Sequence, residues 1–445
     1  MKRVFTLFIL FFFTSLIFAE EPEKGLKWSG YLQIDHRFFT RSGEFSFKEY
    51  RLDLQSEYKT SENSKFFSDI WVRSLGFQSV KTSSDLFSKN KISPVDFEIR
   101  EAYLDIYGFL TKNLDLRIGR QRIAWGTADK INPTDNINPD DFEDIWDMGR
   151  HLGSDGIKAT YYLKNFTIQG VFVPNFTPAV LPLPQWSSVL IPPYEIMELG
   201  KDYRLRNVND RIIMPENNIE DNMIAGLKIS TNIAGYDFSL SYLYGRDDLP
   251  VLNYLRIENI TFAKEVDVVA NLIYPRMKVL GADFSGSIGS IGIWGEAGFF
   301  FPEEVKLKTS YLGLYTIEST ALSDSPYLKY TVGMDYTFKN GIYLNTQFVH
   351  GFVHERGRKD LEDYWTMQLE WKLFHDKLKL IPISGALEYK DKRNYAIIYY
   401  PSIEYKPFEN TLLVIGLRII DEKGYTSFGR LKDMDEFFVK AKYSF

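Results

Sequence analysis

The chain has 445 residues, no cysteine and a formal net charge of −6. That excludes disulfides, a lipidated N-terminal cysteine, c-type haem attachment and thiolate metal sites, and the acidic balance leaves no basic footprint for nucleic acid. Aromatic residues make up 16% of the chain and charged residues 25%, which is too polar for a bundle of membrane helices and suits strands with one apolar and one wet face.

The first element is an export signal. Lys2 and Arg3 precede an apolar run from Phe5 to Phe18, and Ala19 is followed by Glu20 and Glu21. This charge–apolar–small order reads as a signal peptide over 1–19. The run falls short of the roughly 20 residues that a spanning helix needs, and no later apolar stretch reaches that length.

Eighteen segments then read as strands: 27–39, 45–58, 65–77, 95–107, 114–125, 154–164, 166–175, 221–233, 235–246, 276–286, 290–300, 326–338, 341–352, 362–374, 377–390, 394–406, 410–420 and 435–445. Each has about the ten residues that a tilted strand needs to cross a bilayer. Their connections alternate short and long. Lys164-Asn165, Lys339-Asn340-Gly341 and His375-Asp376 are turns, whereas 78–94, 126–153, 176–220, 247–275, 301–325 and 421–434 are long. Short periplasmic turns with long external loops are the habit of outer-membrane barrels. Segments 251–261 and 264–274 also admit a further hairpin, giving 20 strands or an external extension.

Alternation assigns the faces. Trp365, Met367, Leu369, Trp371 and Leu373 oppose Thr366, Gln368, Glu370 and Lys372; Phe437, Val439, Ala441, Tyr443 and Phe445 oppose Lys440, Lys442 and Ser444. A charge at the bilayer midplane costs about 2–4 kcal/mol, so the charged faces belong to a lumen. The predicted fold is an all-β transmembrane antiparallel barrel over 20–445. The terminal Phe445 resembles the C-terminal signal read by the barrel-assembly machinery. Outer-membrane lipids and lipopolysaccharide are the other expected partners, and no cofactor is expected.

Residues 95–180 carry a resemblance. Arg100-Glu101-Ala102-Tyr103-Leu104-Asp105 leads to Leu116-Arg117-Ile118-Gly119-Arg120-Gln121, then Trp125-Gly126, Ile137-Asn138-Pro139-Asp140 and Val173-Pro174. This order resembles a domain-of-unknown-function family of large outer-membrane porin-like barrels, and more distantly the 18-stranded alginate-export porins. The resemblance implies transport across the outer membrane and fixes no substrate. Alginate export calls for a basic lumen, whereas Asp283, Glu296, Asp335, Glu370 and Glu404 are spread along this wall.

Two loops are candidates for specificity. Segment 126–153 carries Asp129, Asp135, Asp140, Asp141, Glu143, Asp144 and Asp147, stiffened by Pro133 and Pro139. It reads as a constriction folded into the barrel, with a calcium site at Asp140, Asp141 and Asp144 and a solvated acidic loop as the alternatives. Pro174, Pro178, Pro182, Pro184, Pro192 and Pro193 exclude a ladder strand from 174–193. Its apolar residues, Leu183, Trp186 and Ile191 among them, pack into the barrel mouth, against neighbouring loops, or form a greasy surface for apolar solutes.

The hairpin before the acidic loop leaves two registers open. Near the turn 108–113 the lipid face is Ala102, Leu104, Ile106, Leu114, Leu116 and Ile118; farther up the apolar parity passes to Val95, Phe97, Ile99, Gln121, Ile123 and Trp125. Paired bulges near Arg100-Glu101 and Gly119 would turn Arg100, Arg117, Arg120 and Arg122 into the lumen, with Lys158 one strand away. An unbroken register sends Arg100, Arg120 and Arg122 out towards lipid phosphates and Trp125 inward. The bulged reading is the favoured one, because a short Gly-hinged bulge is an ordinary way to re-aim side chains, and it sets a basic wall opposite the acidic loop.

The expected function is a porin for passive passage of small solutes. Its alternatives are a channel for an acidic polysaccharide or an apolar, lipid-like compound, and a structural barrel without transport. Catalysis is not expected: none of the five histidines, His36, His151, His350, His354 and His375, sits in a nucleophile motif.

Overall fold

The computed structural model describes residues 25–190 and 204–445. The signal-peptide segment 1–19 and Ile191 lie outside the described residues.

Alternation closes into a barrel. In Thr411–Lys423, Leu413, Ile415, Leu417 and Ile419 are exposed on one face, while Arg418 and Ile420 are buried on the other. The same holds around the ring. Leu32, Ile34, Leu240, Leu328, Val332, Trp365 and Val439 are exposed, and Asp35, Arg37, Glu49, Glu296, Lys329, Thr331, Gln347 and Glu436 are buried. Apolar outside and polar inside is the pattern a bilayer demands of a closed sheet. Leu26–Phe39 pairs with Phe45–Ser61 on one side and with Glu436–Ser444 on the other, so Tyr31 stands opposite Ser444 and no edge remains.

The barrel has 18 strands, all antiparallel. The sixteenth is split into Asn394–Tyr399 and Ser402–Tyr405, both of which pair with the same two neighbours. Pro401, which has no N–H to give, interrupts it. Its carbonyl still accepts from Leu417 N at 3.1 Å.

The hairpin of 247–275 does not join the wall. Val251–Ile260 and Glu265–Ile273 enter a separate five-stranded sheet with Arg204–Ile213, Val305–Tyr311 and Tyr315–Leu322. Three connections read as loops thus build one sheet, around buried Leu255, Ile257, Val266, Val268 and Ala270.

The contested hairpin combines the two registers. Between Ser64–Leu75 and Asp96–Ile106 the pairing shifts, Asp69 opposing Glu101 and Ile70 opposing Ile99, so Arg100 is the extra residue of a bulge. Phe97 and Ile99 are exposed outside, and Arg100 is buried. There is no second bulge. Ala102 to Ile106 pair with Arg120 to Leu116 in unbroken register. Gly119, at φ +126°, is needed because a Cβ there would overlap the Ala102 carbonyl.

Arg120 therefore points outward, which corrects its assignment to the pore. It pairs with Asp155 at 2.8 Å, and the two side chains are 41% and 57% exposed. The expected strand 114–125 ends at Gln121, and the chain turns into the barrel. Ile123 and Trp125 are buried in an interior cluster with Ile137, Val171, Leu243 and Phe300. Their apolar character belongs to that cluster and not to a lipid face.

Candidate functional site: a loop pinned across the lumen

Residues 122–153 connect the fifth and sixth strands, Leu114–Gln121 and Ser154–Tyr162. Asn138 fixes the base of the loop. Its Oδ1 accepts from Ile123 N at 2.7 Å, and its Nδ2 donates to Gln121 O and Ser154 Oγ at 3.0 Å each. The Gln121 side chain, fully buried, donates to Gly156 O at 3.0 Å. Conserving the hydrogen bonds of a chain that leaves a sheet requires such side-chain substitutes.

The tip reaches the far wall. Glu296 on Ile291–Pro302, the eleventh barrel strand, accepts from Thr127 N at 2.6 Å, Ala128 N at 2.9 Å, Thr134 N at 3.2 Å and Asn132 Nδ2 at 3.3 Å. Thr331 on the next strand donates to Ile131 O at 3.2 Å. Gln347 on the thirteenth strand accepts from Asp129 N and donates to Asp129 O, both at 3.0 Å. Gly126, at φ +94°, fits because a Cβ would collide with the Glu296 carboxylate. Gly281 and Gly298 leave similar room for Thr134 and Pro133.

The return arm crosses to the first, third and fourth strands. Asp144 accepts from Arg37 Nη1 at 2.7 Å. Glu143 pairs with Arg73, Nη2 to Oε1 being 3.0 Å. Asp141 takes Arg100 at 3.0 Å and Arg150 at 2.9 Å. Nearer the base, Asp135 takes Arg122 Nη1 at 3.0 Å. Burial opposes ionisation of Asp144 and Asp141, but Arg37 overrides it at Asp144, and Arg150 with Arg100 overrides it at Asp141, so both carboxyls stay below their ordinary range. Deep, bidentate arginine–carboxylate pairs of this kind bring geometric specificity as well as energy. The loop is thereby tied to strands on opposite sides of the ring.

A family model, DUF1302, described as a protein of unknown function, matches residues 79–381, more than half of the chain. The chain belongs to the DUF1302 family. No curated protein matches it. Among solved structures it is similar to OccK9 (OpdG) of Pseudomonas aeruginosa, at 11% identity over 95% of this chain and 98% of that one, TM-score 0.49. It is also similar to OccK11 (OpdR) of the same organism, at 9% identity over 94% and 95%, TM-score 0.49. A third is OmpT (in-vitro folded), an outer membrane protein of Vibrio cholerae, at 9% identity over 96% and 99%, TM-score 0.43.

The other sequence-derived residues of this DUF1302 chain fall as follows. Arg117 faces inward, 2.7 Å from Asp105 and stacked over Tyr103 at 3.7 Å. Lys158 stands opposite Arg117 in the ladder. The basic wall is therefore not bare: Arg100, Arg117 and Arg122 each engage a carboxylate. The calcium reading fails on geometry. Asp141 and Asp144 are spent on arginines and the Asp140 carboxyl lies against His151, so among the described residues the three share no oxygen cage. Trp186, 2% exposed, packs 5.7 Å from both Phe39 and Trp146, with Leu183 beside the same cluster.

Sequence reasoning missed Glu296, Gln347 and Arg37 as receptors for the loop. The usable signal is the run Gly295-Glu296-Ala297-Gly298, one carboxylate among residues too small to bar a backbone from approaching.

Proposed function

We propose that this protein is an outer-membrane channel for small solutes, with segment 122–153 as its constriction. The observation that carries the reading is the cross-lumen tether, from Asn138 at the near wall to Glu296 and Gln347 at the far one. Below the loop, Glu57, Lys65, Asp105, Asp335, Glu370 and Lys379 provide wall ion pairs and hydrogen bonds typical of a wet vestibule. A barrel needed only as a scaffold has no use for a polar vestibule under a tethered loop. Acidic polysaccharide is a poor cargo, because the inward arginines already hold carboxylates. Assembly through the terminal Phe445 and contact with lipopolysaccharide outside complete the proposal.

Planar-bilayer recording of the refolded barrel tests it. Deleting 129–147 should raise single-channel conductance several-fold. An unchanged conductance in a folded barrel would refute the constriction, and silence in both proteins would refute the channel.

A further inference from the structure

Above the constriction lies an enclosed cavity bounded by the loop, the wall and the mouth segments. Water centres can range over about 80 Å³ of it. One water needs roughly 10–15 Å³ by that measure, so the space suits one ring-sized organic molecule. Its lining is mainly apolar, with Met277, Phe300, Tyr327, Phe352, Phe428 and Leu431 among the walls. Phe300 and Tyr327 are stacked, 2° apart in plane and 5.1 Å between centroids, with Lys329 Nζ 5.3 Å from the Phe300 ring centroid.

The polar end has a definite sign. Arg356 is engaged by both oxygens of Asp247 and also donates to His354 O. Lys329 Nζ donates to Phe352 O at 2.7 Å and Val353 O at 3.2 Å. Arg356 is thus paired with a carboxylate, and Lys329 is held by two main-chain carbonyls. Asp140 and Asp248 are not matched in this way. Asp248 Oδ2 accepts from Asp140 N at 2.7 Å, and Asp140 Oδ1 lies 3.3 Å from His151 Nδ1. Among the described residues no arginine or lysine pairs with either carboxyl. Both line the cavity.

We propose that this cavity binds a small organic cation, a ring-bearing primary amine whose ammonium sits at Asp140 and Asp248 and whose ring lies against Phe300 and Tyr327. The assignment deepens the channel reading by naming a solute class for it. An ammonium donates to both carboxyls through charge-assisted hydrogen bonds. The aromatic faces favour a cation and tolerate an apolar ring. A carboxylate solute would meet two acidic side chains at that end, while Lys329 Nζ is turned to the Phe352 and Val353 carbonyls. Burial, together with the proximity of other carboxylates, pushes Asp140 well above its ordinary value and Asp248 up to about 6, as expected where a counter-charge is missing.

Benzylammonium, benzyl alcohol and benzoate distinguish the terms, by calorimetric titration of the full refolded barrel at pH 7.5. Benzylammonium should bind saturably and at least tenfold more tightly than benzyl alcohol, and benzoate should not bind. Asp140→Asn/Asp248→Asn should erase the preference for the amine; Asp140→Asn alone serves if the double variant does not fold. Phe300→Leu should weaken amine and alcohol alike. Saturable benzoate binding, equal affinity for amine and alcohol, or no saturable binding of the amine would each overturn the site. Conductance of the same preparation is scored separately: a conducting barrel without amine binding loses only the site, and amine binding by a silent barrel loses only the channel.

Discussion

Replacing Glu296 with Gln should release the constriction while leaving the barrel intact. The Glu296 carboxylate takes three backbone N–H groups and the Asn132 amide from one turn of the loop, at 2.6 to 3.3 Å. Hydrogen bonds to a charged group contribute about 1.5–3 kcal/mol each. A glutamine oxygen in the Oε2 position keeps Thr127, Ala128 and Asn132 as donors but without the charge, and its NH₂ faces Thr134 N, so one bond is lost and three fall towards the roughly 1 kcal/mol of a neutral pair, about 3–6 kcal/mol in all. Gln347 retains its two bonds to Asp129, so the loop is loosened and not expelled. At 1.4 kcal/mol per factor of ten, the open fraction should rise by about 10² to 10⁴. Single-channel recording shows this as long openings of higher conductance. A folded Glu296→Gln barrel with wild-type conductance and dwell times would falsify the idea that this carboxylate holds the loop.

Further outcomes follow from the same geometry. Arg120→Ser should leave the reversal potential in a salt gradient unchanged, because Arg120 points outward to Asp155, whereas Arg117→Ser should shift selectivity towards cations by freeing Asp105 in the lumen; a shift with Arg120→Ser would contradict the register. Trp186→Ala should cost about 3–5 kcal/mol in urea unfolding and speed proteolysis of 174–190, since the indole is 2% exposed; unchanged proteolysis would show that the mouth does not depend on it. His354 is pushed down to about 3, first by burial and then by Arg356 and Lys329. The unfolded chain binds a proton there near pH 6.5 and the folded chain does not, so this residue removes stability as pH falls from about 6.5 towards 3. Asp248 acts in the opposite sense, its raised value adding stability over the upper part of that range. Comparing His354→Gln with the parent cancels that term: the variant should lose less thermal stability between pH 7 and pH 4, and equal losses would exclude His354 as the cause.

The wall was legible in the sequence because a lipid face imposes a period of two that local residues must obey. Leu328, Val332 and Met334 against Lys329 and Thr331 could be sorted without knowing any partner. The phase break at Val95, Phe97 and Ile99 was equally visible, and the bulge at Arg100 explains it. The interior was harder. Ile123 and Trp125 look like lipid-facing residues, yet they pack inside with Ile137 and Leu243, because a plugged lumen has an apolar core of its own. Partners such as Asp144 with Arg37 are 107 residues apart, and no periodicity announces them. Of the external sheet only the 251–274 hairpin was anticipated, and its other strands escaped for a related reason. Arg204–Ile213 carries Arg206, Asn207, Asn209, Asp210 and Arg211, a polar stretch that becomes a strand through parallel pairing with Glu265–Ile273.

The tether also sets an order of assembly. Thr127 precedes its receptor Glu296 by 169 residues, and Asp129 precedes Gln347 by 218. Bridging such distances in an unordered chain carries a loop-closure cost that grows with separation. That cost disappears once the intervening strands are zipped neighbour to neighbour. The loop can therefore find its far anchors only after the thirteenth strand has joined the sheet. Thirteen strands of wall can thus be laid down while the far anchors are still unoccupied, and the step that narrows the bore waits for them.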